Sequence, residues 1–187
     1  MTHLLLIRHG ETDWNREGRF MGRTDLPLNL DGLAQAETAA SSLRGQKVEA
    51  VYTSDLQRAR QTAEIVARAV GAPLLPDARL REIDQGEWEG ELFSRIREAY
   101  ADLLARRRRE PLDTHAPGGE SIREIQARIL PLLDEIARRH PRGRVAIVSH
   151  GVTLAVMKVH FLGLAVETVW DQVPGNLAIE ELPLEAE

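Results

Sequence analysis

Arg8, His9 and Gly10 follow directly on the apolar run Leu4-Leu5-Leu6-Ile7, a combination suited to chemistry on an anion. A guanidinium can hold an oxyanion, an imidazole can attack one, and a glycine lets the backbone come close. A second strand-like run, Ala50-Val51-Tyr52-Thr53, leads into Ser54 and Arg58, and a third, Val145-Ala146-Ile147-Val148, leads through Ser149 into His150-Gly151. Two arginines and two histidines gathered at one place would form a pocket for a phosphoryl group, because guanidinium groups can carry the charge that Mg²⁺ carries elsewhere. Phosphoryl transfer needs a nucleophile, and neutral imidazole is one that passes through a phosphohistidine. It also needs an acid to protonate the departing alkoxide. Residues 80–90, LREIDQGEWEG, supply Glu82, Asp84, Glu87 and Glu89, with Glu91 just beyond. One of these held partly protonated by burial would serve, and spacing does not choose among them.

These groups can meet only if the runs that carry them are neighbouring strands. Four successive apolar residues read as a strand buried on both faces, and strands alternate with helical patterns along the chain. That alternation predicts a mainly parallel sheet between helical layers, with ligands at the carboxyl ends of the strands. After the opening turn, residues 14–27 read as an irregular, functional loop carrying Arg16, Arg19 and Arg23. Asn29 or Asp31 caps the next helix, whose apolar residues are Leu33, Ala36, Ala40 and Leu43 and which Gly45 ends. Ser54 reads as the N-cap of a helix running to Gly71, with Arg58 in its first turn beside the strand end. Residues 72–76 form an edge strand bounded by two prolines.

Beyond the acidic loop, residues 93–109 read as one helix, with Arg106 to Arg109 at its solvated end. Residues 111–119 are a turn-rich connector. Ser121 and Glu124 form a capping box for a helix through Arg139, which Pro131 should kink or divide. Residues 144–149 are the last strong strand, 152–161 a helix, and 177–182 an edge strand before a frayed acidic tail. No repeat or linker divides the chain, so one domain spanning residues 1–187 is expected.

Composition narrows the function classes. At 187 residues, 43% hydrophobic and 28% charged, the chain reads as an ordinary globular protein. A formal net charge of −5 argues against nucleic acid as a partner, and no apolar run approaches the roughly 18 residues of a membrane span. Of the 24 basic residues only Lys47 and Lys158 are lysines. There is no cysteine, hence no disulfide or thiolate chemistry, and with no basic-then-apolar leader before the first strand a cytoplasmic location is expected. No His, Asp or Glu spacing suggests a metal site, and no cofactor is expected. His3, His115, His140 and His160 read as structural or solvated. Trp170 or the Phe161-Leu162 pair would suit a homodimer if exposed, and core packing is the simpler expectation.

The segments LIRHGETDWN, SDLQRARQTAE, LREIDQGEWEG, PGGES and IVSHG, in this order and spacing, resemble the histidine phosphatase (phosphoglycerate mutase-like) superfamily over essentially the whole chain. The resemblance implies a three-layer α/β/α sandwich with a mostly parallel sheet. It implies that His9 is the nucleophile, that Arg8, Arg58 and His150 clamp the phosphoryl oxygens, and that Glu82 is the proton donor. The phosphate-binding set it implies is Arg8, Asn15, Met21, Gly22, Arg58, His150 and Gly151. Relatives often carry glutamine where this chain has Met21, and tryptophan where it has Arg23, so the pocket mouth is expected to be differently charged. With Arg16, Arg19 and Arg23 expected near the entrance, esters with an acidic or polar remainder are expected to be preferred.

Within that superfamily, the mutase branch carries a Glu-Arg-His-Tyr element where this chain reads Arg81-Glu82-Ile83-Asp84-Gln85, and it has an insertion that this compact chain lacks. Both departures favour a phosphatase, most similar to the broad-specificity and α-ribazole phosphatases. The expectation is therefore a metal-independent phosphatase for small phosphorylated metabolites, acting through phospho-His9. A phosphoglycerate mutase is the alternative. A non-catalytic phospho-ligand binder is a third reading, disfavoured because all five catalytic-type residues are present.

Overall fold

Alternate side chains of the first strand divide the core in two. Leu4 and Leu6 lie with residues of α6 and α7, and Leu5 and Ile7 with residues of α2 and α3, where α1 is Asp13–Glu17, α2 Leu30–Ser42, α3 Gln57–Val70, α4 Phe93–Ala99, α5 Ala101–Arg109, α6 Ile122–Arg139 and α7 Gly151–Phe161. The computed structural model describes residues 1–184, so the acidic tail lies outside the described residues. Strands β1 (Thr2–Arg8), β2 (Ala50–Thr53), β3 (Leu74–Pro76), β4 (Arg144–Ser149) and β5 (Ile179–Leu184) form one sheet in the order β3-β2-β4-β1-β5. The first four are parallel, and β5 runs antiparallel to β1 at the far edge. Helices cover both faces, which gives the three-layer sandwich. None of them is long and apolar enough to cross a membrane.

The topology places the site. The chain leaves β1 through α2 toward β2 on one side of the sheet, and leaves β4 through α7 toward β5 on the other. The crevice between the carboxyl ends of β1 and β4 is therefore the switch point where open α/β sheets bind ligands. The two strands pair Leu4 with Val145 through Arg8 with Ser149, so His9 and His150 emerge side by side. Leu4, Ile7 and residues 145–148 are fully buried beneath them. Each large aliphatic side chain so buried contributes about 1.5–3 kcal/mol, which offsets the cost of holding polar groups at the strand ends.

Several local expectations are corrected. Ser54 is not the N-cap of α3: its Oγ accepts from the Leu56 amide at 3.3 Å in the preceding turn, and the helix starts at Gln57. Asp25, from the 14–27 loop, accepts from the Gln57 amide at 2.6 Å and caps the helix from outside. That loop itself opens as a short helix, α1, closed by a reciprocal capping box between Thr12 and Asn15. The helix expected over 93–109 breaks at Tyr100, with φ −127° and ψ 33°, into α4 and α5. No proline or glycine causes the break. It lets Ile96 from one segment and Leu103 and Leu104 from the other pack in the small cluster around Trp88, where Tyr100 also lies. Pro131 neither ends nor divides α6, because it sits on the exposed face opposite the stripe of Ile125, Ile129, Leu132 and Ile136. The carbonyl it leaves without a helical donor is that of Ala127, which is exposed and can be hydrated. The last strand lies at the expected edge, two residues later than its sequence signal.

Candidate active site

His9 continues β1 through its amide, which donates to the Ser149 carbonyl at 3.0 Å. The residue is 2% exposed, and its ring lies 5.1 Å from the ring of His150, centroid to centroid. His9 Nδ1 is 2.7 Å from the Gly10 carbonyl, which can only accept, so Nδ1 carries the proton. Burial, reinforced by the positive charges of Arg58 and Arg8, holds the His9 pKa well below 6.5. The neutral ring then keeps its lone pair on Nε2. Burial and the same arginines also push His150 well down, and neither of its ring nitrogens has a protein partner.

The two arginines are anchored with donors to spare. Arg58 is completely buried in the first turn of α3, its Nη1 and Nη2 donating to the carbonyls of Thr24 at 2.8 Å and Gly22 at 2.6 Å. Arg8 Nη1 donates to the Pro174 carbonyl at 2.6 Å. The Nε–H of each is left buried without an acceptor. Burial lowers Arg58 to about 10, against the opposing pull of Glu82, Asp25 and Glu89, so it stays charged at neutral pH. Buried cations with unpaired donors are costly, and an oxyanion is what relieves the cost. Gly151 is the first residue of α7, so its amide has no intrahelical acceptor. A Cβ there would come within 2.9 Å of Val173 and 3.5 Å of the Arg8 guanidinium carbon, so no side chain fits without a shift.

Among the acids of the 80–90 loop, the structure brings only Glu82 into the same cavity. Glu82 Oε1 accepts from the Ile83 and Thr153 amides and Oε2 from the Val152 amide, while the Thr153 hydroxyl donates to the Arg81 carbonyl at 2.8 Å. The carboxylate thus sits on the N-terminus of α7, beside His150. Asp84 instead accepts from the Gly86 amide, and Glu89 from the amides of Arg23 and Thr24. The PGGES segment clamps this loop: the Glu120 amide donates to the Asp84 carbonyl, and the Glu120 carboxylate pairs with Arg128 of α6. Arg128 in turn donates to the Glu82 carbonyl.

The cavity has a volume of about 540 Å³, room for a small ligand. Arg8, His9, Asn15, Met21, Arg58, Glu82 and Gly151 line it, whereas His150 is fully buried beside the His9 ring and does not itself line the cavity. Asn15 Oδ1 is occupied by Thr12, which leaves its amide nitrogen to face a ligand. Gly22 does not line the cavity. It lies behind Arg58, and a Cβ there would press on Glu89, Gln85 and Ile83, so the residue is required for packing. Among the described residues no group of three or more His, Asp or Glu side chains is placed to hold a metal ion.

The arginines at the mouth differ from expectation. Arg16 pairs with Glu11 and Asp31 outside the cavity, and Arg23 turns away to Glu120 and Asp84. Of the three loop arginines, Arg19 alone reaches the lining. Arg107 and Arg108 of α5 take the place expected for the others. Arg107 is 4% exposed, between the rings of Trp88 and Trp170 at 5.4 and 4.6 Å, so it is not part of a solvated helix end. A sequence signal existed: Leu103, Leu104 and Arg107 share one helix face by i, i+3 and i+4 spacing. Trp170, a candidate for a dimer surface, is a wall of this cavity instead.

The two buried neutral histidines have a measurable consequence. In the unfolded chain both take up protons as pH falls through about 6.5, while the folded site resists. Stability is therefore retained above pH 6.5 and lost below it, by up to about 1.4 kcal/mol per pH unit for each histidine until its folded pKa is reached. His150→Gln is expected to flatten the fall of Tm between pH 7 and pH 5. A slope equal to wild type would mean that His150 takes up its proton normally in the folded state.

A family model described as "Histidine phosphatase superfamily (branch 1)" matches residues 4–187. Phosphoserine phosphatase 1 of Hydrogenobacter thermophilus is 34% identical over 170 residues, 91% of this chain and 81% of that protein. A probable phosphoglycerate mutase, GpmB, of Escherichia coli O1:K1 / APEC is 36% identical over 165 residues, 88% of this chain and 76% of that protein. The solved structure of a mycobacterial glucosyl-3-phosphoglycerate phosphatase in complex with VO3 superposes with a TM-score of 0.90 at 29% identity, covering 97% of this chain and 90% of that one.

Proposed function

Because the chain belongs to the histidine phosphatase superfamily, we propose that it is a metal-independent phosphatase that hydrolyses small phosphomonoesters through a phosphohistidine on His9. The observation that carries this reading is the state of His9: a neutral ring, its Nδ1–H held by the Gly10 carbonyl, with Nε2 left as the nucleophile between two charged arginines. The unpaired Nε–H groups of Arg8 and Arg58, a ring N–H of His150, the Asn15 amide and the Gly151 amide receive the phosphoryl oxygens. His9 Nε2 attacks phosphorus in line with the ester oxygen. The P–N bond forms as the P–O bond to the alcohol breaks, and the departing alkoxide takes its proton from Glu82. In the second half, Glu82 as carboxylate accepts a proton from water, whose oxygen attacks phosphorus. The P–N bond breaks, inorganic phosphate leaves, and His9 returns to its neutral state. The arginines and the end of α7 hold the phosphoryl charge throughout, the part played by a metal ion in other phosphoryl-transfer sites.

The likeness to a probable phosphoglycerate mutase supports a second reading, in which a second hydroxyl takes the place of water. The discriminating experiment is turnover of 3-phosphoglycerate in EDTA, with and without bisphosphoglycerate, following inorganic phosphate and 2-phosphoglycerate together. Phosphate release without isomer is expected. Isomer formation stimulated by the bisphosphate would establish the mutase reading and displace the phosphatase.

A further inference from the structure

The Gly10 carbonyl that holds the His9 Nδ1–H belongs to a residue with no side chain to steady it. Gly10 passes so close to α2 that a Cβ would stand 2.6 Å from the Gly32 carbonyl oxygen. Without a Cβ, the two peptide planes that flank it can turn over a wide range. Side chains from three other parts of the chain pin both planes. The His9–Gly10 peptide is held at each end: Asn176 Nδ2 donates to the His9 carbonyl at 2.8 Å, and the Gly10 amide donates to Thr62 Oγ1 at 3.1 Å. The Gly10–Glu11 peptide is held at its amide, which donates to Gln35 Oε1 of α2 at 3.2 Å. The Thr62 hydroxyl proton goes to the Arg58 carbonyl at 2.8 Å, so its oxygen meets Gly10 as an acceptor only.

Asn176 lies in a turn with an unusual backbone. Leu177, next in the chain, adopts φ 57°, a left-handed conformation uncommon for a residue with a side chain, and its amide donates to the Arg8 carbonyl at 3.1 Å. Such strain persists where the surroundings enforce it, and it clusters at functional sites. We propose that Gln35, Thr62 and Asn176 are positioning residues that keep His9 in its Nδ1–H tautomer by fixing the two peptides of Gly10. This rests on the reading of His9 as the nucleophile. None of the three lines the cavity, so they act through His9 and not on the substrate. Where the Gly10 carbonyl turns away, the ring proton can move to Nε2, and the attacking lone pair is lost.

Thr62→Val, Asn176→Ala and Gln35→Met each remove one hold. Nitrogen NMR spectra of the histidine rings above neutral pH read the tautomer directly, the His9 signals being those missing from His9→Ala. Wild type is expected to show Nδ1–H alone, and each variant a mixture. On p-nitrophenyl phosphate, kcat and kcat/KM are expected to fall together by about 10- to 100-fold with KM little changed, the scale of a misplaced reacting group. Thr62→Ser keeps the acceptor and is expected to return both tautomer and kcat to wild type. Asn176→Ala, in a half-buried turn, carries the test if Thr62→Val does not fold. A role in folding alone would lower Tm and leave the tautomer and the kcat of the folded variants at wild type, and that result would overturn the proposal. A fall in kcat with the tautomer unaltered would also overturn it, while the phosphatase stands. Absence of phosphate release by wild type from any monoester, or normal turnover by His9→Ala, would instead overturn the phosphatase reading.

Discussion

His9→Ala is expected to lower kcat on every phosphomonoester by about 10⁴-fold or more, the scale of losing the nucleophile in a covalent mechanism. The loss should be uniform across leaving groups, because without Nε2 neither the poorest nor the best leaving group has an attacking atom. Wild type is expected to retain phosphate in an acid-sensitive, base-stable linkage after rapid quench, and the variant to retain none. Folding is not expected to suffer in step. The ring makes one hydrogen bond, to the Gly10 carbonyl, and its burial in the neutral form is a liability at low pH. Alanine removes that liability, so the variant should lose less stability than wild type on acidification below pH 6.5. Near-wild-type turnover in His9→Ala, with the protein folded, would remove the phosphohistidine from the mechanism.

The parts of the site that sequence made legible are those attached to strand ends. Residues 4–7 and 145–148 are apolar without interruption because both faces of a parallel strand are covered, and the first polar residues after them can only lie at the sheet edge. That logic placed Arg8, His9 and His150. Arg58 followed because a helix that starts beside its own strand brings its first turn to the same edge. The loop-borne parts were legible only in kind. Which acid of residues 80–90 faces the cavity is decided by the amides of α7 and by Arg128, three elements away in sequence. Arg23 and Arg107 show the same limit from opposite sides. Arg23 has the sequence setting of a pocket cation and is held outward by Glu120. Arg107 has the setting of a solvated helix end and is drawn inward by two tryptophans, one of them more than sixty residues away. Long cationic side chains take their direction from tertiary partners, so charge runs are the least readable part of such a chain. The break at Tyr100 is of the same kind: local propensity favoured one helix, and packing around Trp88 required two.

Glu82→Gln is expected to cost about 10²- to 10⁴-fold in kcat/KM on alkyl phosphates and less than about tenfold on p-nitrophenyl phosphate. The contrast follows from where the proton is needed. An alkoxide is a strong base and cannot leave without protonation, whereas nitrophenolate is stable as it departs. The comparison must be made in kcat/KM, which reports steps up to loss of the alcohol. In the proposed mechanism Glu82 is also the base for water in the second half, so kcat is expected to fall for both substrates, limited by hydrolysis of phospho-His9. A burst of nitrophenol followed by slow turnover is therefore expected in the variant. The substitution is nearly isosteric. The amide oxygen can keep the Ile83 and Thr153 donors, and only the Val152 amide faces a new donor, at a cost of about 1–3 kcal/mol in stability. Equal losses in kcat/KM on the alkyl and aryl esters would show that Glu82 does not protonate the leaving group. Asp84 could not simply replace it, because its carboxylate is committed to the Gly86 amide and faces Arg23 outside the cavity. The proton would then have to come from the substrate's own phosphoryl group or from solvent, and the three amides on Glu82 would be a device for positioning α7 against His150.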